Sequence, residues 1–230
     1  MRILVVGHGR MGRLIASLAP ECGCDVTGIV DPSGGATFRR VEDVPAGVAD
    51  VAIDFTVPDA VVSNVSTLAE RGLSIVLGTT GWQGHERALR DVIAAANVGI
   101  VAAPNFSTGV LLFDAIVAEA ARLLAPHGVF EAWMHEQHHA KKQDAPSGTA
   151  LMLKRAMERG GYTRPLEITA TRAGYIPGTH TVGFDGPAES ITLTHTARDR
   201  SAFARGALQA ATWLQGRRGW YTMHDVLGLS

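Results

Sequence analysis

Short aliphatic runs without alternation recur along the first half of the chain, and helical segments separate them. The first run is Ile3 to Val6, after which Leu14, Ile15 and Leu18 recur at helical spacing. An aliphatic run that lacks alternation is expected of a strand buried on both faces of a parallel sheet. Further runs cover residues 25–30, 51–56, 74–81 and 99–107, with helices predicted at about 59–71 and 85–96. Repeated strand–helix units predict a doubly wound parallel sheet with its ligand crevice at the carboxyl ends of the strands.

The pattern changes after Asn105. Long helices are predicted at about residues 107–124 and 147–159. Three alternating runs follow, LEITATRAG, HTVGFD and ESITLTHTA, and they predict an antiparallel sheet with one solvated face. The last segment, SAFARGALQAATWL and then GWYTMHDVLGL, is predicted to be helical and to pack on the first domain. We therefore expect a first domain of residues 1–106 with 200–230, and a second α+β domain of residues 107–199 with an antiparallel or mixed sheet.

The segment GHGRMG, residues 7–12, has the spacing G-x-G-x-x-G directly after a strand and at the start of a helix. This turn lets the backbone approach a pyrophosphate, whose charge then lies on free N–H groups of the helix. Asp31 follows about twenty residues on, at the end of the second strand, where a carboxylate accepts hydrogen bonds from ribose hydroxyls. The sequence thus predicts a Rossmann-type domain that binds NADH and/or NADPH. Asp31 repels a 2′-phosphate and so favours NADH, whereas Arg39 and Arg40 would offset that repulsion.

Residues 136–150, EQHHAKKQDAPSGTA, concentrate ionisable side chains in one short segment. Pro146 cannot continue a strand ladder, and Ser147 is a favoured N-cap. Gly148 and Thr149 would then carry free N–H groups in the first turn of a helix. Cationic side chains beside such a helix start predict a binding site for a small carboxylate substrate.

Other interpretations of this segment remain open. On a strand His138 and His139 would point to opposite faces, so one would be a core histidine and the other solvated, with the lysines as surface charges. A metal site formed by the histidines with Glu136 is opposed by the lysine among its ligands, and we expect no metal. Ser147 lacks the glycine pattern that surrounds a hydrolase nucleophile.

The composition narrows the function classes. Hydrophobic residues make up 46% and charged residues 19% of the 230 residues, as in ordinary globular proteins. A net charge of −1 leaves no basic excess for nucleic acid. The segment MRILVVGHG is neither a signal peptide nor a membrane span, and Cys22 and Cys24 are expected to be reduced thiols, so we expect a cytoplasmic protein without a membrane partner.

The pattern E-x-H-H-x-x-K-x-D-A-P-S-G-T-A of residues 136–150 resembles the signature of the dihydrodipicolinate reductases, the 4-hydroxy-tetrahydrodipicolinate reductases of lysine and diaminopimelate biosynthesis. Matching motifs follow in the same order: GRMG (9–12), DFT (54–56), GTTG (78–81), APNFS-x-GV (103–110), RAG-x-IPG-x-H (172–180), E-x-ITLTH-x-A-x-x-R (189–200) and FA-x-GAL (203–208). The resemblance implies NAD(P)H-dependent reduction of a small dicarboxylate by a two-domain homotetramer, whose second domain binds substrate and mediates oligomerisation.

The resemblance also implies roles for individual residues. His138 would be the proton donor or acceptor and Lys142 the second catalytic cation, while His139, Gly148 and Thr149 would hold substrate carboxylates. The implied cofactor contacts are Gly7, His8, Gly9, Arg10, Met11, Gly12, Asp31, Gly78, Thr79, Thr80, Ala103, Pro104, Asn105 and Phe106.

Several positions depart from the family pattern. Trp133 stands where the family usually has glutamate, Leu111 where asparagine is frequent, and Thr179 where glutamate usually precedes the histidine; the glycine turn is also one residue shorter. A related amino-acid or imino-acid dehydrogenase is the alternative, since it would share the first domain, but it should lack the DAPSGTA block. A non-catalytic dinucleotide sensor would have no reason to keep the His-His-Lys cluster.

Overall fold

The structure, a computed structural model, describes residues 1–229. The chain forms two compact units. The first contains Met1–Ser107 together with the segment from Ser201 onward, and the second contains Thr108–Arg200. Within the described residues, no helix combines the length and the apolar character needed to cross a bilayer.

Ten strands and seven α-helices make up the regular structure of residues 1–229. The strands are β1 (Arg2–Val6), β2 (Asp25–Val30), β3 (Val51–Asp54), β4 (Ser74–Leu77), β5 (Gly99–Ala102), β6 (Glu131–His138), β7 (Glu167–Arg172), β8 (Thr179–Asp185), β9 (Ser190–Thr196) and β10 (Gly219–Tyr221). The helices are α1 (Arg10–Leu18), α2 (Pro58–Glu70), α3 (Glu86–Ala96), α4 (Thr108–Leu124), α5 (Gly148–Arg159), α6 (Ser201–Leu214) and α7 (Met223–Leu227), with 3₁₀ turns at Pro20–Cys22, Val41–Asp43 and Gln83–His85.

The first unit contains a parallel sheet of six strands in the order β2-β1-β3-β4-β5-β10. The chain runs from β1 outward to β2 and returns to β3 on the other side of β1. Ligands of doubly wound sheets bind at such a switch point, outside the carboxyl ends of the strands. The predicted Rossmann-type sheet is confirmed, and Gly7 follows β1 at this point.

Strands β1, β3 and β4 are buried over nearly their whole length, as their uninterrupted aliphatic runs predict. On one face of the sheet Leu4, Ala52 and Ile75 belong to a core shared with α2 and α3. Helix α6 contacts α1 and the strands β3 to β5. A Cβ on Gly206 in α6 would lie 1.7 Å from the carbonyl oxygen of Phe106, so the approach of α6 to the end of the β5 segment requires glycine.

The prediction that residues 219–221 are helical is wrong. They form β10, in which Gly219 pairs with Gly99 and Tyr221 with Val101 of β5. Three residues are too few to show a periodicity of their own, so only the pairing with β5 defines this strand. The preceding segment is helical as predicted, and it lies in the first unit.

The second unit contains a mixed sheet in the order β7-β6-β8-β9. Strands β6, β8 and β9 pair antiparallel and β7 runs parallel to β6, so the mixed sheet is confirmed as one of the two arrangements expected. Alternation reveals which face of a strand is buried and not its direction. Helix α5 lies between β6 and β7 in the chain and supplies the crossover that parallel neighbours need. Met134, Val182 and Phe184 pack on α4 and α5 in one core.

Candidate active site

The glycine turn of the first unit combines two close backbone approaches with one open position. Gly7 has φ +91°, and a Cβ on it would lie 2.4 Å from the carbonyl oxygen of Phe55. A Cβ on Gly12 would lie 1.8 Å from the carbonyl oxygen of Gly7. Gly9, the N-cap of α1, has no atom within 4 Å of a Cβ built on it. The turn therefore fits a pyrophosphate, because Gly9 leaves open space at the N-terminus of a helix.

Asp31 is fixed beside this turn. Its Oδ2 accepts a hydrogen bond from the backbone N–H of His8 at 2.6 Å, and its Oδ1 accepts from the backbone N–H of Ser33 at 2.9 Å and from the Ser33 hydroxyl. The hydrogen bonds from Ser33, followed by that from His8, hold the pKa of Asp31 below its usual value. Asp31 is thus an ionised carboxylate where the sequence predicts a ribose contact.

A cavity of about 450 Å³ lies at the carboxyl ends of β1, β2 and β3. Among the residues that line it are Gly7, Gly9, Asp31, Arg39 and Arg40. Arg39 and Arg40 are exposed and line the same cavity as Asp31, and Arg40 pairs with Asp43 at 3.2 Å. The cavity has the size of a small-molecule site.

The remaining predicted cofactor residues do not line this cavity. Gly78 and Phe106 have packing roles, since a Cβ on Gly78 would lie 2.2 Å from the ring of Phe55, and the buried Phe106 ring lies 5.8 Å from that ring. The other predicted cofactor residues that do not line the cavity are His8, Arg10, Met11, Gly12, Thr79, Thr80, Ala103, Pro104 and Asn105.

Asp54 is a buried carboxylate that the sequence analysis did not single out, although it begins the DFT motif. Its Oδ1 accepts hydrogen bonds from the hydroxyls of Thr56 at 2.7 Å and Thr79 at 2.9 Å, and its Oδ2 accepts from Asn64 at 2.9 Å. Burial raises the pKa of Asp54 despite these donors. The network joins the ends of β3 and β4 and commits the hydroxyl of Thr79.

In the second unit, Glu136 and His138 project from the same buried face of β6 because they are two residues apart on a strand. The side chain of Glu136 has no solvent exposure. Its Oε1 accepts a hydrogen bond from Arg172 Nη2 at 2.6 Å and another from the backbone N–H of Ser147 at 2.9 Å. The carboxylate therefore connects β6, β7 and the start of α5.

The second oxygen of Glu136 faces two histidines. Its Oε2 lies 3.6 Å from His138 Nδ1 and 3.5 Å from His180 Nε2. His180 Nε2 also lies 3.1 Å from the Ser147 hydroxyl, and the rings of His138 and His180 meet edge to face at 5.0 Å. Both Glu136 Oε2 and His138 Nδ1 are buried without a hydrogen-bond partner.

Burial sets the protonation of this cluster. Burial lowers the pKa of His138. The negative charge of Glu136 opposes this shift and the positive charge of Arg172 adds to it. Burial also lowers the pKa of His180, to about 4. For Glu136, burial raises the pKa, but the hydrogen bonds from Arg172 and Ser147 outweigh it, so the pKa lies below its usual value. An anionic carboxylate therefore faces two histidines that are predominantly neutral near pH 7.

Glu136, His138 and His180 also bring three ligand-type atoms within 4.8 Å of one another. We assign no metal to them, because Arg172 is bound to the same carboxylate and a second cation would be electrostatically adverse. The four residues form an ion-paired polar cluster.

Helix α5 begins as predicted. Ser147 is its N-cap, and the Ser147 hydroxyl accepts a hydrogen bond from the backbone N–H of Ala150 at 3.2 Å. Gly148 and Thr149 are the first helical residues. The N-cap on which the predicted anion site depends is therefore present.

Lys142 is paired within its own loop, which the sequence analysis did not anticipate. Its Nζ donates a hydrogen bond to Asp144 Oδ1 at 2.7 Å. This bond, with a smaller contribution from the backbone N–H of Gly148, lowers the pKa of Asp144. His139 follows β6 and is half-buried, and Lys141 is exposed. Asp144 therefore accepts from Lys142 and Gly148, two groups that the sequence assigns to the catalytic and substrate-binding site.

Three residues of this site lie in the motif RAG-x-IPG-x-H and were not assigned roles from the sequence. Arg172 pairs with Glu136, and His180 faces the same carboxylate. Gly178 has φ +144°, and a Cβ on it would lie 3.3 Å from His138 Nε2. The motif was the only signal in the sequence that pointed to these three residues. Their contacts with Glu136 and His138 follow from the strand pairing, which motif spacing does not show.

A Rossmann-type sheet with a dinucleotide turn, combined with a mixed-sheet unit that carries a buried cluster of Glu136, His138, Arg172 and His180, is the arrangement of a nicotinamide-dependent two-domain oxidoreductase. Family models described as "Dihydrodipicolinate reductase, N-terminus" and "Dihydrodipicolinate reductase, C-terminus" match residues 1–106 and 109–227. The chain belongs to the dihydrodipicolinate reductase family.

Curated relatives match over their whole length. The 4-hydroxy-tetrahydrodipicolinate reductase of Bradyrhizobium diazoefficiens is 38% identical over 269 aligned residues, which cover 100% of this chain and 98% of that protein. The protein of the same name from Stenotrophomonas maltophilia strain R551-3 is 41% identical over 239 residues, with 99% and 98% covered.

Among solved structures, a dipicolinate-bound dihydrodipicolinate reductase from Paenisporosarcina sp. TG-14 matches with a TM-score of 0.82 at 20% identity and 98% coverage of each chain. GenD2 from gentamicin A biosynthesis, in complex with NAD, matches with a TM-score of 0.62 at 14% identity, covering 100% of this chain and 90% of that one. At these identities the two structures support the fold.

Acid should destabilise the protein through the buried His180. Its pKa of about 4 lies below the unfolded value of about 6.5. The neutral ring therefore contributes stability that is complete above about pH 6.5 and is lost as the pH falls toward 4. His180→Asn should make the thermal midpoint fall less steeply between pH 6.5 and pH 4 than it does in the unmodified protein, as measured by circular dichroism.

The matched control is His127→Asn, because His127 is exposed in the same unit. This variant should keep the slope of the unmodified protein. Parallel curves for His180→Asn and the unmodified protein would contradict the assignment of His180 as a neutral buried group.

Proposed function

We propose that the protein is a 4-hydroxy-tetrahydrodipicolinate reductase, which uses NADH or NADPH to reduce a cyclic unsaturated dicarboxylate in lysine and diaminopimelate biosynthesis. The observation that carries the proposal is the cluster of Glu136, His138 and Arg172 at the start of α5, beside the predicted carboxylate site. Relatives that bear this name match the chain from end to end.

Bound NADH or NADPH supplies the hydride that adds to one carbon of the substrate's conjugated C=C–C=N system. The neighbouring carbon then takes up a proton, and the protein must provide it. His138 suits this role because an imidazole titrates near the working pH. Its Nε2 lies beside Gly178, which has no side chain, and its Nδ1 faces Glu136.

The substrate carboxylates bind at the start of α5. Glu136 and the Ser147 hydroxyl already accept from the backbone N–H groups of Ser147 and Ala150. The N–H of Thr149 is left for a ligand, and that of Gly148 becomes available when Asp144 leaves it, with His139 and Lys142 nearby in sequence. A substrate carboxylate would take the place of Asp144 on Lys142 and Gly148, so that binding exchanges one carboxylate for another.

His138→Gln should lower kcat by about 10²–10⁴-fold, because it removes the general acid. The assay follows the absorbance of the reduced nicotinamide in a coupled system that generates the hydroxy-tetrahydrodipicolinate. His135→Gln is the matched control, since His135 lies on the opposite face of β6 and contacts Thr171. A kcat/KM of His138→Gln near that of the unmodified enzyme would reject His138 as the acid.

The same assay tests the function itself. No oxidation of NADH or NADPH with the dicarboxylate would reject the proposal. Activity toward an amino acid or imino acid instead would favour the related dehydrogenase.

Asp31 should set the cofactor preference. The unmodified enzyme should show a KM for NADH no higher than that for NADPH, because the carboxylate accepts from ribose hydroxyls and repels a 2′-phosphate. Asp31→Ser should raise the KM for NADH by about 10-fold or more, as expected for the loss of charge-assisted hydrogen bonds, and leave Arg39 and Arg40 to bind a phosphate. KM values for both cofactors measure this.

Asp59→Ser removes an exposed carboxylate of the same unit that does not line the cavity, and it should leave both KM values unchanged. A strong preference of the unmodified enzyme for NADPH would contradict the role of Asp31.

The protein is also proposed to assemble as a homotetramer through the second unit. The sheet face opposite α4 and α5 carries Trp133 and two threonine pairs, Thr179 with Thr196 and Thr181 with Thr194. Trp133 is 39% exposed, and the edge strands β7 and β9 have no further partner within residues 1–229. Such a face and edges suit other copies of the chain.

Light scattering after size exclusion should give about four times the chain mass of 24.3 kDa. Thr194→Lys should lower this mass, because in a symmetric interface the lysine introduced in one copy would face the same lysine of another copy. Thr163→Lys, at an exposed position outside the sheet, should not. A monomer for the unmodified protein would reject the assembly.

We further propose that the enzyme works in the cytoplasm, where thiols stay reduced. Cys22 and Cys24 are both free thiols, which agrees with that compartment.

A further inference from the structure

We propose that Glu136 is a positioning residue for the proton transfer: its carboxylate holds His138 Nδ1 on one oxygen and the start of α5 on the other, and thereby aligns the acid with the carboxylate site. The inference rests on the proposed function, because it assigns His138 as the proton donor. It concerns a residue that contacts neither substrate nor cofactor in this scheme.

The two oxygens of Glu136 have different surroundings. Oε1 is satisfied by Arg172 and by the backbone N–H of Ser147. Oε2 is completely buried and has no donor within hydrogen-bond distance. His180 Nε2 lies 3.5 Å from it but is also 3.1 Å from the Ser147 hydroxyl, with which it pairs. The ion pair with Arg172 therefore accounts for the surroundings of Oε1 and not for those of Oε2.

His138 Nδ1 is the complementary atom. It is buried, has no hydrogen-bond partner, and lies 3.6 Å from Oε2. That separation exceeds a hydrogen bond, but buried polar atoms are normally paired, and contacts of catalytic groups often tighten when ligand binds. A small rotation of the His138 ring or the Glu136 carboxylate allows Nδ1–H to donate to Oε2.

This contact fixes the tautomer of His138. When Nδ1 carries a hydrogen toward Oε2, the proton that leaves is the one on Nε2, the nitrogen beside Gly178. The imidazolium gives the Nε2 proton to the substrate carbon and becomes the neutral Nδ1–H form, which Oε2 still accepts from. Glu136 thus stabilises both the charged acid and its product.

Charged and titratable groups face His138 from each element around it. These are Glu136 from β6, Arg172 from β7, His180 from β8, and Lys142 and Asp144 from the loop before α5. Among them Glu136 and Asp144 favour the imidazolium, and Asp144 is committed to Lys142. Glu136 is therefore the buried anion whose charge opposes that of the cations near His138 and raises the pKa of the ring.

Arg172 also connects the Glu136 carboxylate to the loop before α5. Its Nη2 donates to Glu136 Oε1 and also to the backbone carbonyl of Asp144, each at 2.6 Å. The loop that carries Lys142 is thereby fastened to the same carboxylate that faces His138.

The test is the pH profile of kcat in Glu136→Gln. A proton donor is active below its pKa, so activity falls as the pH rises through the pKa of His138. Loss of the anion removes a contribution that raises this pKa. The alkaline fall of the profile should therefore move about one pH unit or more toward acid, as expected for removal of an opposite charge at this distance.

Two variants frame this result. Glu131→Gln, on the same strand but exposed, should leave the profile unchanged. Glu136→Asp keeps the charge for Arg172 but draws it away from His138, and it should move the profile in the same direction by a smaller amount. If Glu136→Gln fails to fold, the Asp variant carries the test. Profiles of the folded Glu136 variants that match the unmodified enzyme would overturn the proposal.

A double variant shows whether Glu136 acts through His138. In a His138→Gln background, Glu136→Gln should lower kcat by less than about 3-fold, because acting through a shared partner makes the effects non-additive. A full multiplication of the two single effects would overturn the proposal and leave Glu136 as a structural ion pair.

The contact can also be tested without turnover. A proton NMR titration of the histidine Hε1 signals, with His138 assigned by His138→Gln, should give a lower pKa for His138 in Glu136→Gln than in the unmodified protein. An unchanged pKa would overturn the inference. Because this measurement needs no substrate, it separates failure of the inference from failure of the proposed function.

Discussion

A carboxylate with no solvent exposure, that of Glu136, is the constraint around which the second unit is arranged. Removing a carboxylate from water costs several kcal/mol, and the ion pair with Arg172 offsets this only together with further donors. The backbone N–H of Ser147 supplies one of these, so the ionised state of Glu136 depends on where α5 begins. Well-packed apolar side chains often replace a buried ion pair without loss of stability, so the fold alone does not require this pair, whereas the proposed reaction gives it a use.

The strand pairing explains why these groups meet. His138 lies opposite Arg172 of the parallel strand β7, and Glu136 lies opposite His180 of the antiparallel strand β8. Helix α5 is the crossover from β6 to β7, so its N-terminus returns to the end of β6. A sheet in which β7 ran antiparallel to β6 would break this arrangement. The mixed topology is therefore a condition for the site.

The sequence predicts local features well and pairwise features poorly. The glycine turn, the Asp31 position and the Ser147 cap depend on neighbours in the chain, and the structure has the turn and the cap as predicted. The strand β10 and the direction of β7 depend on partners far along the chain. Residues 219–221 were wrongly predicted to be helical, and the sequence left the sheet of the second unit as either antiparallel or mixed. For the same reason, neither the partners of Glu136 nor the pairing of Lys142 with Asp144 follows from motif spacing.

The protonation of His138 joins the energetics of folding to the proposed reaction. Burial favours the neutral ring in the folded protein, whereas a proton donor must carry a proton before it can give one. Removing the burial would satisfy the second demand but admit water to the site. A buried anion beside the ring raises the pKa without exposing it, and Arg172 keeps that anion ionised. The carboxylate thus offsets part of the effect of burial on His138, whose pKa still lies below its usual value.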